Sequence, residues 1–350
     1  MKKKFTCILA GVWLLSCTSP EKKTADCRLN HSAVYDNELL IGQCVSLVAS
    51  SNHIIGVDAQ NLDKLFFVQN IADTSSFFHF GDKGQGPGEF IYPFSIQLVD
   101  DSSLFVYDLM LKKINRINID FESGRTDITG QLLDEKLCFS VVSTAYGQYL
   151  GIGAFIDEMF ILLDSTGVRT SMFFEYPYKD ESEKNISNSV RAMAYQGKIK
   201  TNTSRTKLVY SAAFADILYF YNIERKDLRI IKKIENRFCK YKPEENSGTI
   251  SAPIMSDNEH GCIDLYATDQ YVYMLYSGRS FKKYQEKIGE SNRLRIYDWQ
   301  GNLLLEVEID LPCKNLCVSA NDTFLWAIAE MPEPKIVAYD LRGLIDGLKQ

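Results

Sequence analysis

The sequence is poor in the residue patterns that mark metal and catalytic sites. It has only four histidines in 350 residues, and they form no HxxxH or HxH pair. Its nine cysteines include no CxxC, and no histidine lies close to a pair of them except His260, beside Cys262. Zinc sites use closely spaced His and Cys ligands of these kinds, so the sequence gives little support for a zinc site. Since no GxSxG motif occurs either, we assign no catalytic residue, no metal and no cofactor.

The composition also excludes classes of protein. The chain carries 39 Lys and Arg against 45 Asp and Glu, so its net charge is −6. Nucleic-acid binding needs a positive surface, so we expect no nucleic-acid partner. Proline is sparse, with nine residues, and no helical periodicity of useful length precedes the last ten residues. Together with 19 Tyr and 20 Phe, this pattern favours β structure.

The N-terminus has the features of a secretion signal. Residues 2–4 are three lysines, and residues 5–15 form an apolar segment too short to span a bilayer. The segment ends in Leu14-Leu15-Ser16-Cys17, which resembles the lipobox of bacterial lipoproteins, a family in which the cysteine becomes a diacylated N-terminus. The alternatives are a signal peptide that is cut elsewhere and a buried apolar N-terminus.

The lipoprotein interpretation divides the chain into three parts. Residues 1–16 are then a signal peptide, residues 17–26 are a tether lipidated at Cys17, and residues 27–350 are one domain. Removing the signal peptide takes away three lysines and no acidic residue, so the net charge becomes −9. We expect a membrane-anchored monomer in the bacterial cell envelope, on its periplasmic or surface side.

The remaining cysteines do not define a disulfide framework. Seven are left once Cys7 leaves with the signal peptide and Cys17 carries lipid. An odd number cannot pair completely within one chain. We expect buried thiols and one or two disulfides, and the pairing stays open.

A strand–turn–strand unit recurs along the chain. An apolar strand ends in Asp or Asn, a tight turn often closed by Gly follows, and then comes a second strand. Three clear and three looser copies end their first strands at Asn70, Asp120, Asp164, Asn222, Asp298 and Asp340. Two more strands precede most copies, and a unit of about fifty residues is typical of a β-propeller blade. The alternative is a pair of β-sandwich domains with coincidental spacing.

The end of the sixth copy predicts how the ring closes. Little chain follows Asp340, so the sixth blade lacks an outer strand of its own. Residues 32–49 provide strand material before the first blade's recognisable strand at 53–57. We therefore predict an all-β, six-bladed β-propeller whose ring is closed by an N-terminal strand, because such closure removes an exposed sheet edge.

A glycine-rich stretch carries the sharpest motif. The sequence Gly81-Asp-Lys-Gly-Gln-Gly-Pro-Gly-Glu-Phe90 follows an aromatic segment at 77–80. It resembles the GxGxGPGEF-type loop of TolB-like and NHL-like six-bladed propeller lipoproteins. The resemblance implies that architecture over essentially the whole mature chain.

The same glycines do not form a phosphate site. A P-loop needs Gly-Lys-Ser/Thr at the start of a helix, whereas Pro87 and Gly88 follow Gly86. A dinucleotide fingerprint needs a strand-to-helix context, and both flanks here have the pattern of strands. We expect the loop to shape a crossover between blades that Glu89 and Phe90 secure.

Blade topology assigns the long connections to one face of the ring, the long-loop face. Loops that join strands two and three, or one blade to the next, lie on this face, and the other turns lie on the opposite, short-turn face. The four long connections, at 81–90, 176–189, 239–261 and 277–292, all belong to the long-loop face. Loops carry binding in such scaffolds. We therefore predict a ligand site around the central opening of this face, formed by Tyr92, Phe94, Arg191, His260 and Lys314.

The predicted function is binding. Aromatic and cationic side chains at one opening suit a polar ligand. We expect a lipid-anchored envelope module that presents its long-loop face to a protein, peptide or glycan partner. The alternative is a metal-dependent, lactonase-like hydrolase with Asp264 and Asn315 in the central channel, so enzymatic activity stays undecided.

Overall fold

Short strands joined by tight turns make up most of the chain. The structure, a computed structural model, describes residues 28–133, 138–246 and 249–349. The predicted signal peptide, Cys17 and the tether at 17–26 lie outside the described residues. No helix in the described ranges is long and apolar enough to span a membrane.

Four separate antiparallel sheets of four strands each follow one another along the chain, and each is a blade. They are preceded by two short strands, β1 (Arg28–Leu29) and β2 (Ala33–Val34). Blade one contains β3 (Cys44–Ala49), β4 (His53–Asp58), β5 (Lys64–Asn70) and β6 (Phe77–Asp82). Blade two contains β7 (Pro93–Leu98), β8 (Ser103–Asp108), β9 (Lys113–Asp120) and β10 (Arg125–Leu132). Blade three contains β11 (Cys138–Ser143), β12 (Tyr149–Gly153), β13 (Phe160–Leu163) and β14 (Arg169–Phe173). Blade four contains β15 (Gly197–Thr201), β16 (Lys207–Ala212), β17 (Asp216–Ile223) and β18 (Leu228–Arg237).

Blades five and six share one eight-stranded sheet. After the short hairpin of β19 (Glu244–Asn246) and β20 (Thr249–Ser251), its strands are β21 (Cys262–Ala267), β22 (Tyr271–Tyr276), β23 (Ser291–Asp298), β24 (Leu303–Val318), β25 (Phe324–Met331) and β26 (Glu333–Asp340), together with β1 and β2. Residues 303–308 of the long strand β24 pair with β23, and residues 313–318 pair with β25. The first half of β24 is therefore the outer strand of blade five, and the second half is the inner strand of blade six.

An N-terminal strand closes the ring, as the sequence predicts. The strand β2 pairs antiparallel with β26, so it is the outer strand of blade six. Tyr35, directly after β2, ties this strand to both neighbouring blades. Its hydroxyl accepts a hydrogen bond from Trp326 Nε1 at 3.1 Å and donates one to the carbonyl of Ile71 at 3.3 Å. The closure thus links the last blade to the first and covers part of the outer edge of β26.

A buried aspartate at the end of the second strand anchors each of the first two blades. Asp58 accepts hydrogen bonds from the backbone N–H groups of Gly42 and Gln43, both at 2.8 Å. Asp108 accepts from those of Ile91 at 2.7 Å and Tyr92 at 3.0 Å. Each carboxylate also caps the turn that follows it. These contacts hold the entry to the inner strand against the second strand.

The glycine-rich loop forms the predicted crossover between blades one and two. The Glu89 carboxylate accepts a hydrogen bond from the Gly86 N–H at 2.7 Å, and a Cβ at Gly84 would lie only 2.0 Å from that carboxylate. Phe90 is fully buried, with its ring 5.0 Å from that of Phe66 in an edge-to-face arrangement. The glycines therefore make room for Glu89 and set the turn.

The hydrophobic core lies between neighbouring blades. Phe160 of blade three meets Tyr221 of blade four with ring centroids 5.3 Å apart. Phe105 of blade two stacks against Tyr149 of blade three, with ring centroids 5.5 Å apart. Such aromatic pairs stabilise the contact beyond their buried area. The blades are therefore fastened face to face around the ring.

The long connections contain short helices. Between blades three and four lie α1 (Glu181–Lys184) and α2 (Asn188–Ala194). Within blade five, α3 (Phe281–Tyr284) and a 3-10 turn (Gln285–Gly289) join β22 to β23, and α4 (Arg342–Leu348) follows blade six. Because strand direction alternates within a blade, the connections that contain α1, α2 and α3 lie on the long-loop face.

Candidate functional site

A cavity of about 590 Å³ lies between the inner strands of the blades. Its lining comes mainly from β3, β7, β11, β15 and β21, from the turn after β24 and from the start of β25. The lining includes the C-terminal ends of inner strands and the turns that follow them, at 48–51, 98–101, 201–203 and 319–321. The cavity therefore extends to the short-turn face of the ring.

Hydrogen bonds between inner strands stiffen the cavity wall. Gln97 on β7 accepts hydrogen bonds from the Ser143 N–H at 2.9 Å and the Ser143 hydroxyl at 2.8 Å, and its amide donates to the hydroxyl of Thr201. This one side chain joins blades two, three and four. The hydroxyls of Ser95 and Ser140 lie 2.6 Å apart and add a second link between blades two and three.

Asp264 links blades four, five and six in the same way. Its Oδ1 accepts from Lys198 Nζ at 2.6 Å, and its Oδ2 accepts from the Leu316 N–H at 2.9 Å. Asp264 is only 3% exposed. Burial disfavours the charged form of Lys198, but the Asp264 carboxylate outweighs that effect, so the pKa of Lys198 is raised. Both oxygens of Asp264 are therefore engaged within the wall.

Lys200, two residues further along β15, lines the same cavity but does not make the ion pair that Lys198 makes. Side chains two apart on a strand share a face, so Lys198 and Lys200 lie on the same side of β15. In the described part of the chain no hydrogen bond or ion pair involves the Lys200 ammonium. Burial lowers the pKa of Lys200, and the neighbouring Lys198 charge lowers it further, while Asp264 only partly offsets them. Lys200 is an unpaired, half-buried cation.

The cysteines of the inner strands do not supply a counter-charge. Burial raises the pKa of Cys44 and of Cys317, so both are neutral thiols near pH 7. Cys44, Cys239, Cys262, Cys313 and Cys317 are free thiols, so the disulfides that the sequence left open do not involve these five residues. Cys27 lies outside the described residues.

Of the five predicted site residues, only Phe94 lines the cavity. Tyr92 lies next to it, with the two rings 5.8 Å apart and nearly parallel. Lys314 is about half exposed and pairs with the Glu330 carboxylate. These three lie at or next to the starts of inner strands, where the sequence predicted them.

Arg191 lies in the interior instead of at an opening. It is 3% exposed and donates hydrogen bonds to the carbonyl of Tyr176 and, at 2.7 Å, to the carboxylate of Glu175. Its guanidinium also lies 5.4 Å from the centre of the Tyr178 ring. These contacts bind α2 to the segment that follows blade three, so the contacts of Arg191 here are structural.

His260 is partly buried beside blade four. Its ring meets that of Phe214 edge to face at 4.8 Å, and its backbone N–H donates to the carbonyl of Arg279 at 2.8 Å. Burial, with the nearby Arg237 charge, lowers the pKa of His260, so its neutral form is favoured. The five residues do not converge on one cavity, and their role in ligand binding stays a prediction.

The described part of the chain contains no cluster of side chains suited to bind a metal ion. No group of three His, Cys, Asp or Glu side chains there is arranged to hold a metal ion. Asp264, which the hydrolase hypothesis uses, is engaged by Lys198 and Leu316. Asn315 Oδ1 is buried without a hydrogen-bond partner.

The sequence analysis missed Lys198 and Lys200. Their only signal is the alternation Gly-Lys-Ile-Lys-Thr at 197–201, which places two cations on one side of a strand. Which side faces the channel depends on the register of β15 against β16, where Lys198 lies opposite Ser211 and Lys200 opposite Val209.

Comparison with known proteins agrees with this geometry. A family model described as TolB-like 6-blade propeller-like matches residues 29–321. The chain belongs to this TolB-like family. The resemblance predicted from the glycine-rich loop is thereby confirmed, as is the six-bladed fold.

Two solved structures show the same fold as this TolB-like propeller. One is a protein from Bacteroides fragilis described as exported, with 12% identity, coverage of 91% of this chain and 96% of that chain, and a TM-score of 0.53. The other is a member of the DUF4221 family from Bacteroides vulgatus, with 13% identity, coverage of 89% and 94%, and a TM-score of 0.54. At these identities the likeness concerns the fold alone. No match was found among curated proteins.

The two cavity lysines of this TolB-like propeller should affect stability in opposite directions. Lys200→Met removes an unpaired cation, so we expect a higher melting temperature at pH 7 without ligand. The cost of the Lys200 charge is present below its lowered pKa and is relieved as the pH rises toward the ordinary value of 10.5. Lys198→Met leaves Asp264 buried without its counter-ion and should cost about 3 kcal/mol of unfolding free energy.

Thermal and urea unfolding measure both effects, with the exposed Lys226→Met as the control. A Lys200→Met protein that is less stable than the parent would show that the ammonium has a partner after all. Equal losses in the two variants would contradict the different states that the structure assigns to them.

Proposed function

We propose that this chain is a lipid-tethered binding protein of the bacterial cell envelope that takes a small ligand into its central cavity. The envelope location rests on the lipobox-like residues 14–17. The observation that carries ligand binding is the cavity of about 590 Å³. Small-molecule sites typically enclose about 300–1,000 Å³ and combine apolar walls with a few polar groups.

The wall of the cavity supports this function because it is already ordered. Gln97 and Asp264 each connect three blades at the level of the inner strands. A ligand that enters a preformed site does not have to order loops, and this lowers the entropic cost of binding. A rigid channel with turns at its mouth therefore suits a small molecule.

Filling the cavity should abolish binding without unfolding the ring. Ser46 lines the cavity and is 5% exposed, so Ser46→Phe projects a ring into the space. We expect the neutral fluorescent probe N-phenyl-1-naphthylamine to bind the parent chain and to lose at least about tenfold in affinity for Ser46→Phe. The exposed Ser165, on a turn of the same face, provides the matched control Ser165→Phe.

Probe fluorescence is compared at equal concentrations of lipidated protein, so that any signal from the lipid anchor cancels. Circular dichroism confirms that Ser46→Phe is folded. Equal probe binding by Ser46→Phe and Ser165→Phe would exclude the cavity as the binding site, and a parent chain that binds no probe would contradict the proposal.

We also propose that the long-loop face contacts a partner protein, as one of the options that the sequence predicts. The specific observation is a group of exposed side chains around α3. Met255 is 52% exposed and Phe281 is 54% exposed, and the Lys282 N–H donates to the Ser256 carbonyl at 2.7 Å, which brings the two segments together. Lysines at 282, 283 and 287 flank this apolar group, so a partner with acidic groups fits it.

Site-specific photo-crosslinking tests this face. A benzoylphenylalanine at position 283 should give a discrete adduct with one envelope protein, because the side chain lies beside the apolar group. The same residue at position 165, on the opposite face, should give none. The double variant Phe281→Ala with Tyr284→Ala should lose the adduct at 283. No adduct at 283, or an equal adduct at both positions, would count against a partner on this face.

A further inference from the structure

Only one of the two lysines that line the central cavity has an ion-pair partner among the described residues. Two ammonium groups, of Lys198 and Lys200, belong to the lining together with the carboxylate of Asp264. Asp264 gives one oxygen to Lys198 at 2.6 Å and the other to the Leu316 N–H at 2.9 Å. Since Asp264 is engaged by Lys198 and Leu316, Lys200 is left without an ion-pair partner in the interior of the cavity.

Away from the mouth of the cavity, no other carboxylate belongs to the described lining. The thiols of Cys44 and Cys317 are neutral, because burial raises the pKa of each. The carboxylates of Asp100 and Asp101 belong to the lining at the mouth, where each accepts a hydrogen bond from a backbone N–H group. Asp100 accepts from the Ser102 N–H at 3.0 Å, and Asp101 accepts from the Ser51 N–H at 2.7 Å. Lys200 therefore offers three N–H donors to the interior of the cavity.

A half-buried ammonium without a partner is costly, because burial removes water that would otherwise solvate it. Natural proteins retain such a cost chiefly where function requires it. An anionic ligand group at Lys200 would satisfy the ammonium with charge-assisted hydrogen bonds, which are stronger than neutral ones. The unpaired ammonium of Lys200 therefore favours an anionic group over a neutral or cationic one at that position.

The rest of the lining favours an apolar ligand body. Phe94, Ile96 and Leu98 come from one inner strand, and Tyr266 comes from another. Phe324 and Trp326 line the cavity from blade six, with ring centroids 6.0 Å apart and nearly parallel planes. Such walls bind hydrocarbon by excluding water from it.

We infer that the ligand of the central cavity is an anion with an apolar body, of the class of medium-chain carboxylates, and that Lys200 Nζ holds its charged group while the aromatic and aliphatic lining holds the chain. This inference rests on the proposed binding function of the cavity and names the ligand class for that site.

Three eight-carbon probes separate charge from apolarity: octanoate, octanol and octylammonium. Equilibrium dialysis against the lipidated full-length protein measures the affinity of each. We expect octanoate to bind at least about tenfold more tightly than octanol, and octylammonium to bind most weakly, since a charge-assisted hydrogen bond is worth such a factor.

Variants at position 200 assign the effect to one side chain. Lys200→Met should remove the preference for octanoate over octanol, and Lys200→Arg should retain most of it, because the guanidinium keeps the charge. The exposed Lys226→Met should behave as the parent. Ser46→Phe should lose octanoate and octanol together, because its ring obstructs the cavity.

The outcomes distinguish the two proposals. If octanoate and octanol bind equally and Ser46→Phe abolishes both, the cavity binds ligands but the inference of an anion is overturned. If octanoate binds Lys200→Met as tightly as it binds the parent, Lys200 does not bind its carboxylate. If octanoate binding survives Ser46→Phe, the ligand does not occupy the cavity, and the proposed function fails with the inference.

Discussion

The carboxylate of Asp264 is the interaction on which the centre of the ring depends. It lies on the inner strand of blade five and reaches Lys198 of blade four with one oxygen and the backbone of blade six with the other. Three of the six blades meet at this one buried group. Because a buried charge is tolerated only when it is paired and hydrogen-bonded, this arrangement restricts how the inner strands pack against each other.

The contacts of Asp264 within the wall determine which lysine of the cavity remains unpaired. With its two oxygens engaged, it leaves Lys200 without an equivalent partner, although both lysines lie on the same side of β15. The wall is otherwise satisfied, since Gln97 joins blades two to four by hydrogen bonds. The unpaired ammonium in this otherwise satisfied wall is a loss of stability that ligand binding would recover.

Much of the fold was predictable because it is local. The recurring Asp or Asn at strand ends and the following turns mark each blade, and the missing sixth outer strand predicts the N-terminal closure that β2 provides. The glycine-rich loop was predictable for the same reason, since Glu89 binds an N–H only three residues away. The anchoring by Asp58 and Asp108 was not recognised, because it joins residues 15 to 17 positions apart.

The site was much less predictable, since it depends on contacts between blades. Arg191 has the side chain of a binding residue, but the seven-residue helix α2 places it against Glu175 and Tyr176 in the interior. Lys198 and Lys200 differ only in whether Asp264, 64 or more residues away, reaches them. Neither spacing nor composition reveals that difference, which appears only once the ring brings β15 and β21 together.

The most direct test of a ligand site organised by Lys200 is a crystal structure of the protein grown with octanoate. We expect density for the hydrocarbon chain of octanoate among the lining residues of the cavity, with a carboxylate oxygen about 3 Å from Lys200 Nζ and the Lys198–Asp264 pair unchanged. An empty cavity at saturating octanoate, or a carboxylate bound elsewhere on the ring, would contradict it.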